Sequence, residues 1–222
     1  MEITVTKEMV NLLKDRIHET CRTPDNRRVL ENMAKPIQAV LEIVETKVKP
    51  QAVYRMLPLL TSDEKKVMTS AGAIESRMFA SLVNRCKNNR QIIFMIATIG
   101  DELEKGLCSK HDILSQWIYD VTGSELMEIV ADEVENRIKE IAEQQQLELS
   151  LRFSPGYCDW PLKGQQVIFS GLDAKKINVR LTPHKMMIPK KSISCIMMSA
   201  ESVPVKNQCL LCSKKQCPYR RS

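Results

Sequence analysis

Residues 91–100 read QIIFMIATIG, and this run constrains the fold more than any other stretch of the chain. Its apolar residues follow one another without a polar face. They fit neither the period of a surface helix nor the alternation of a half-buried strand. The run is also far short of the ~20 apolar residues of a membrane span. It reads as a strand covered on both faces, so the rest of the chain must supply cover for two sides of a sheet.

Further strands are expected at AVYRMLPL (52–59) and SISCIMMSA (192–200), with shorter ones at EITV (2–5) and KINVRLTP (176–183). LELSLRFS (147–154) alternates apolar and polar residues and reads as a regular strand. Helices are expected between them. One begins near Thr6, with Met9, Val10, Leu13 and Ile17 on a single face. Thr23 can cap a second helix and Pro24 suits its first position, while Pro36 predicts two helices or a kink. ESRMFASLVNRCK (75–87), GDELEKGL (100–107) and QQVIFSGLDA (165–174) read as shorter helices. A longer helical region opens at Ser109, with Asp112 three residues on in a capping-box pattern. In it Leu126, Ile129, Val130, Val134, Ile138 and Ile141 form a core stripe, and Gly123 predicts a break into two helices. Irregular alternation with strands concentrated late favours an α+β fold with a mixed or antiparallel sheet.

The chain has 222 residues and a net charge of +6, much of the excess lying between Lys163 and Arg221. Such a basic end points to an acidic partner or to a merely solvated surface. No recognised nucleic-acid motif accompanies it, and no membrane span is present, so neither partner is expected. The N-terminus has neither the basic nor the apolar region of a signal peptide, which predicts a cytoplasmic, reducing setting. The eight cysteines then read as thiols or metal ligands. The common nucleotide cradles, the H-E-x-x-H zinc motif and the G-x-S-x-G elbow are all missing, which removes most hydrolase, kinase and dehydrogenase readings.

The chemistry concentrates in LRFSPGYCDWPLKG (151–164). Arg152 offers a planar fork of donors suited to a carboxylate or phosphate. Pro155 fixes its own φ and pushes Ser154 toward extended geometry. Gly156 permits a positive φ or close backbone approach. Tyr157 adds a flat face that can lie near a cation. This set suits a small zwitterionic or cationic ligand with a carboxylate; the alternative is a tight turn with Arg152 in a surface ion pair.

The run R-x-x-P-G-Y at Arg152, Pro155, Gly156 and Tyr157 is followed by Leu181 and Thr182, then by Pro189, Ser192 and Ser194. This order and spacing resembles the activation (reactivation) domain of cobalamin-dependent methionine synthase. ATIGDELEK (97–105) and VTGSELMEIVADEVENRI (121–138) resemble small stand-alone relatives of that domain. The likeness runs from about residue 90 to the C-terminus and is looser before it. It implies a twisted, mainly antiparallel sheet flanked by helices over residues 1–204, with a cysteine-rich tail at 205–222. It further implies binding of S-adenosylmethionine, with Arg152 on the methionyl carboxylate and Ser154, Pro155, Gly156 and Tyr157 lining the ligand. The expected role is reductive remethylation or activation of cob(II)alamin. The cobalamin would be held by a partner corrinoid protein or by a methyltransferase such as a methionine synthase lacking its own activation domain. The electron would come from a flavodoxin-like or ferredoxin donor. No general acid or base is needed, so no catalytic side chain is expected, and enzyme status stays open. A non-catalytic interaction module or S-adenosylmethionine sensor with a structural zinc tail is the second reading.

Where that family has Cys-Pro-Asp after the motif, this chain has Trp160, Pro161 and Leu162. In the tail, Cys209, Cys212 and Cys217 form C-x2-C-x4-C, a spacing suited to zinc, to an iron–sulfur cluster, or to neither if the thiols stay unligated. Cys158 is the preferred fourth ligand, with Cys195 and His184 behind it.

Overall fold

The computed structural model describes residues 1–20, 27–86, 88, 91–109 and 112–205, with residues 27–32 described as backbone alone. Cys21, Thr23, Pro24, His111 and the tail cysteines Cys209, Cys212 and Cys217 lie outside the described residues.

In chain order the elements are α1 (Lys7–Thr20), α2 (Arg27–Thr46), β1 (Gln51–Pro58), β2 (Thr61–Ser62), β3 (Val67–Thr69), β4 (Gly72–Ile74), α3 (Arg77–Arg85), β5 (Gln91–Thr98), α4 (Glu102–Cys108), α5 (Ile113–Gln144), β6 (Glu148–Leu149), α6 (Gln165–Gly171), β7 (Arg180–Leu181), β8 (Met187–Ile188) and β9 (Ser192–Ala200). Short 3-10 turns span Leu162–Gly164 and Ala174–Ile177. The main sheet has the order β1-β5-β9-β6, and all its pairings are antiparallel. A small sheet β2-β3-β4 and the hairpin β7-β8 complete the strands.

The apolar run of residues 91–100 is the central strand β5, with Met95 opposite Tyr54 on one side and Cys195 on the other. Its alternate residues feed two separate cores. Ile93, Met95 and Ala97 join Cys195 and Met197 against α1, α2, α4 and α5, whereas Ile92, Phe94 and Ile96 join Ile196 and Met198 against α3 and α6. Burial on both faces explains why the run shows no alternation.

Several local expectations give way to tertiary context. EITV is not a strand: Glu2 makes one bridge to Gln51, and Ala52 N–H reaches Met1 O at 2.9 Å. α2 runs through Pro36 as one helix, its buried stripe of Met33, Ile37, Val40, Leu41 and Val44 offsetting the hydrogen bond that proline removes. The region after Ser109 is a single 32-residue helix whose cap is Asp112, accepting from Ser115 N–H at 2.7 Å. Gly123 does not break it. A methyl group there would lie 3.0 Å from Cε of Lys191, whose ammonium crosses α5 to Asp120 Oδ1 at 2.7 Å and Ser124 Oγ at 2.8 Å. Cys108 is the last residue of α4. KINVRLTP begins in the 3-10 turn that ends at Ile177, and only its Arg180–Leu181 are in a strand.

The departure with the largest consequence lies in LELSLRFS. Leu149 opposes Ser199 and Phe153 opposes Ile196, so four steps on this segment match three on β9. One residue is extra, which makes a β-bulge. Ser150 closes it: its N–H reaches Met198 O at 2.8 Å and its hydroxyl accepts Met198 N–H at 2.9 Å. Ser150 is buried. Ser150→Ala leaves that buried N–H unpaired and is expected to cost about 1.5 kcal/mol, seen as a lower urea midpoint at unchanged m-value.

Candidate functional site

The bulge sets where Arg152 points. Strict alternation places Arg152 on the opposite face from Leu149 and Phe153. With one residue extra, Phe153 instead enters the α3 core, edge-on to Phe79 with ring centroids 5.2 Å apart. Arg152 turns to the side of the sheet covered by α1 and α5. There it meets a row of acids, Glu125, Glu128, Asp132 and Glu135, whose 3-4-3 spacing puts them on one face of α5. Arg152 Nη2 lies 2.7 Å from Asp132 Oδ1 and 3.5 Å from Glu128 Oε2, and its Nε lies 2.8 Å from Glu135 Oε2. Arg16, from α1, reaches Asp132 at 3.4 Å and Glu125 at 3.8 Å.

These side chains border a cleft of about 620 Å³ lined by Arg16, Glu19, Thr20, Glu125, Glu128, Asp132 and Arg152. That volume suits a small molecule. Two arginines face four carboxylates in the lining, so the cleft carries net negative charge and favours a ligand with cationic groups. Burial pushes the Glu135 carboxyl above its usual range; Arg152 opposes the shift, and Asp132 and Glu128 add to it. Beneath the cluster, burial drives the Cys195 thiol up to about 12.

Of the residues expected around the ligand, the structure brings only Arg152 into this cleft; Ser154, Pro155, Gly156 and Tyr157 do not line it. They form the next loop. Pro155 is buried, Gly156 has φ +93° and Tyr157 is 72% exposed. Gly156 N–H donates to Trp160 O at 2.8 Å, which closes the loop on itself. Trp160 is buried over Gly164, where a side-chain methyl would collide with the indole. Thr182 Oγ1 accepts Met186 N–H at 3.0 Å, and Ser192 bridges Thr98 Oγ1 and Pro189 O at 2.9 and 2.8 Å. Leu181, Thr182, Pro189, Ser192 and Ser194 thus shape the β7-β8 hairpin and the entry to β9.

Sequence reading missed the α5 acids, although their 3-4-3 spacing was visible. It also missed Asp159, which nothing local marks. The Asp159 carboxylate accepts Ser76 Oγ–H at 2.7 Å and Met78 N–H at 3.1 Å, across more than eighty residues of chain.

Cys158 is exposed, with φ +54°. His184 is exposed in the β7-β8 turn and Cys195 is buried in β9. Among the described residues, no group of three or more His, Cys, Asp or Glu is placed to hold a metal ion. No helix among them is long and apolar enough to cross a membrane.

No family model matches the sequence. No curated protein matches it either. Among solved structures, the fold is that of the MetH reactivation domain, crystallised bound to AdoHcy. The match has a TM-score of 0.64 at 14% identity and covers 93% of this chain and 79% of that one. At that coverage it takes in most of the first 90 residues, where sequence likeness was loosest.

Proposed function

We propose that this protein binds S-adenosylmethionine in the cleft between α1 and α5 and serves as a stand-alone reactivation protein. It would support reductive remethylation of cob(II)alamin carried by a partner corrinoid protein or methyltransferase. The observation that carries this reading is the placement of Arg152: a fold shared over nearly the whole chain with a domain crystallised with AdoHcy, and the motif arginine opening into a cleft of ligand size. Arg152 is assigned to the methionyl carboxylate, which takes over hydrogen bonds now made to Asp132 and Glu135. Glu19, on α1, is assigned to the ligand's ammonium group. Residues 154–157, in the loop that follows Arg152 and outside the cleft lining, are assigned to the part of the ligand that extends beyond the cleft.

The work left to the protein is positioning and exclusion of water. A donor protein of the flavodoxin or ferredoxin type supplies one electron, cobalt passes from Co(II) to Co(I), and the sulfonium methyl moves to cobalt as the thioether leaves neutral. The exposed Lys175, Lys176, Arg180 and Lys190 offer an acidic partner a complementary face.

One observation favours the alternative of a non-catalytic sensor or interaction module: Arg152 is already engaged by α5 carboxylates, as a structural ion-pair hub would be. Calorimetry with S-adenosylmethionine, followed by a methylation assay on a reduced corrinoid protein, separates the readings. Binding with methyl transfer is the expected result. Binding without transfer selects the sensor, and no binding removes both.

A further inference from the structure

We propose that Asp159 is a positioning residue that holds the motif loop in its ligand-ready shape by fastening it to the start of α3. This rests on the assignment of residues 154–157 to the ligand. The loop is fixed at both ends. Phe153 exchanges two 2.8 Å hydrogen bonds with Ile196, and Trp160 is sunk in the α3 core. Between these anchors the chain carries two residues of positive φ, Gly156 and Cys158, and its exposed tip is Tyr157. A short loop with such torsions has several ways to close, and a ligand must select one.

Asp159 makes that selection in advance. Its two carboxylate oxygens take separate donors, Ser76 Oγ–H at 2.7 Å and Met78 N–H at 3.1 Å. Ser76 is itself the cap of α3, 1% exposed, and its Oγ accepts Phe79 N–H at 3.1 Å. The carboxylate thus sits at a helix start, where orphan N–H groups and the helix dipole favour negative charge. A bidentate hold of this kind fixes the plane of the carboxylate and, two residues back, the orientation of Tyr157.

The test measures S-adenosylmethionine affinity by calorimetry for wild type, Asp159→Ala and Asp159→Asn, with Val83→Ala as a control. Val83 is fully buried in the same core as the loop anchors Phe153 and Trp160, so its truncation lowers the melting temperature while the Asp159 hydrogen bonds to Ser76 and Met78 stay available. Asp159→Ala is expected to weaken binding about 10-fold, the scale of one charge-assisted hydrogen bond. Asp159→Asn, which keeps one acceptor, should fall between. Val83→Ala should bind as wild type does despite a comparable loss of melting temperature. Amide exchange at Tyr157 should quicken in Asp159→Ala alone. Wild-type binding that Asp159→Ala leaves intact, or weakening matched by Val83→Ala, overturns the positioning role while sparing the ligand assignment. Absence of saturable binding by the wild type overturns both.

Discussion

Arg152→Ala abolishes S-adenosylmethionine binding, with at least a 100-fold loss of affinity expected by calorimetry, and it destabilises the protein in a way that depends on pH. The binding loss follows from removing the fork assigned to the ligand carboxylate. The stability loss follows from what remains: Glu128, Asp132 and Glu135 lie together without their shared cation. Breaking a buried pair by deleting one partner costs ~3–5 kcal/mol; the Arg152 side chain is 21% exposed, so about 2 kcal/mol is expected at pH 7. Glu135 gives the sign of the pH dependence. Burial already holds its carboxyl above the usual 4.5, and Arg152 is the larger of two cations, with Lys139, that lower it. Without Arg152 it rises further. An acid with a raised folded-state pKa stabilises the fold below its unfolded value and loses that contribution as pH climbs through the folded value. The deficit of Arg152→Ala should therefore be larger at pH 7 and shrink as pH falls toward the unfolded value of 4.5, as urea midpoints at the two pH values would show. Arg152→Lys keeps the charge but loses the fork. It should fold almost normally and still bind at least 10-fold more weakly. A deficit of Arg152→Ala that grows on acidification would contradict the arrangement.

The second large effect concerns ligand charge. S-adenosylmethionine carries a sulfonium where S-adenosylhomocysteine has a neutral thioether. The cleft lining sets two arginines against four carboxylates, so the extra positive charge is attracted. At an effective dielectric near 20, one unit of net charge some 8 Å away contributes about 2 kcal/mol, or roughly 30-fold in affinity. S-adenosylmethionine should thus bind about 30-fold more tightly than S-adenosylhomocysteine at low salt, and the ratio should fall as salt rises. Glu128→Gln, the acid most loosely held by Arg152, should cut the ratio several-fold while leaving S-adenosylhomocysteine affinity nearly unchanged. Equal affinities for the two ligands at low salt would place the sulfonium outside this cleft. The preference has a use in the proposed reaction, because the product becomes neutral at sulfur as the methyl departs and is then held less tightly.

Much of the scaffold was legible in the sequence because its signals are local. The uninterrupted apolar run of β5, the α1 face of Met9, Val10, Leu13 and Ile17, and the α5 stripe from Leu126 to Ile138 all formed where these patterns placed them, with Ile141 only half-buried. The errors share one cause, the outvoting of a local preference by packing. Gly123 reads as a helix breaker but serves as the gap across which Lys191 lies. EITV has the composition of a strand, but it makes only a single bridge to β1. Of the candidate site, the sequence marked Arg152 and its loop through the motif. It did not mark Glu128, Asp132 or Glu135 as that arginine's partners, or Asp159 as the loop's fastening, because both depend on contacts between distant segments.

By itself the sequence determined that a doubly covered strand sits at the centre of an α+β fold, and it singled out residues 151–164 as the candidate site. Only the tertiary structure decided which way that site faces. LELSLRFS alternates as a regular strand does, and alternation sends Arg152 away from the face of Leu149. The bulge at Ser150 reverses this, because it pairs with β9 through a side-chain hydroxyl and lets one residue go unmatched. Side chains in a strand change face at every residue, so a single extra residue reverses every direction beyond it. The register that creates the extra residue is set by Met198 and Ile196 on β9, more than forty residues further along the chain.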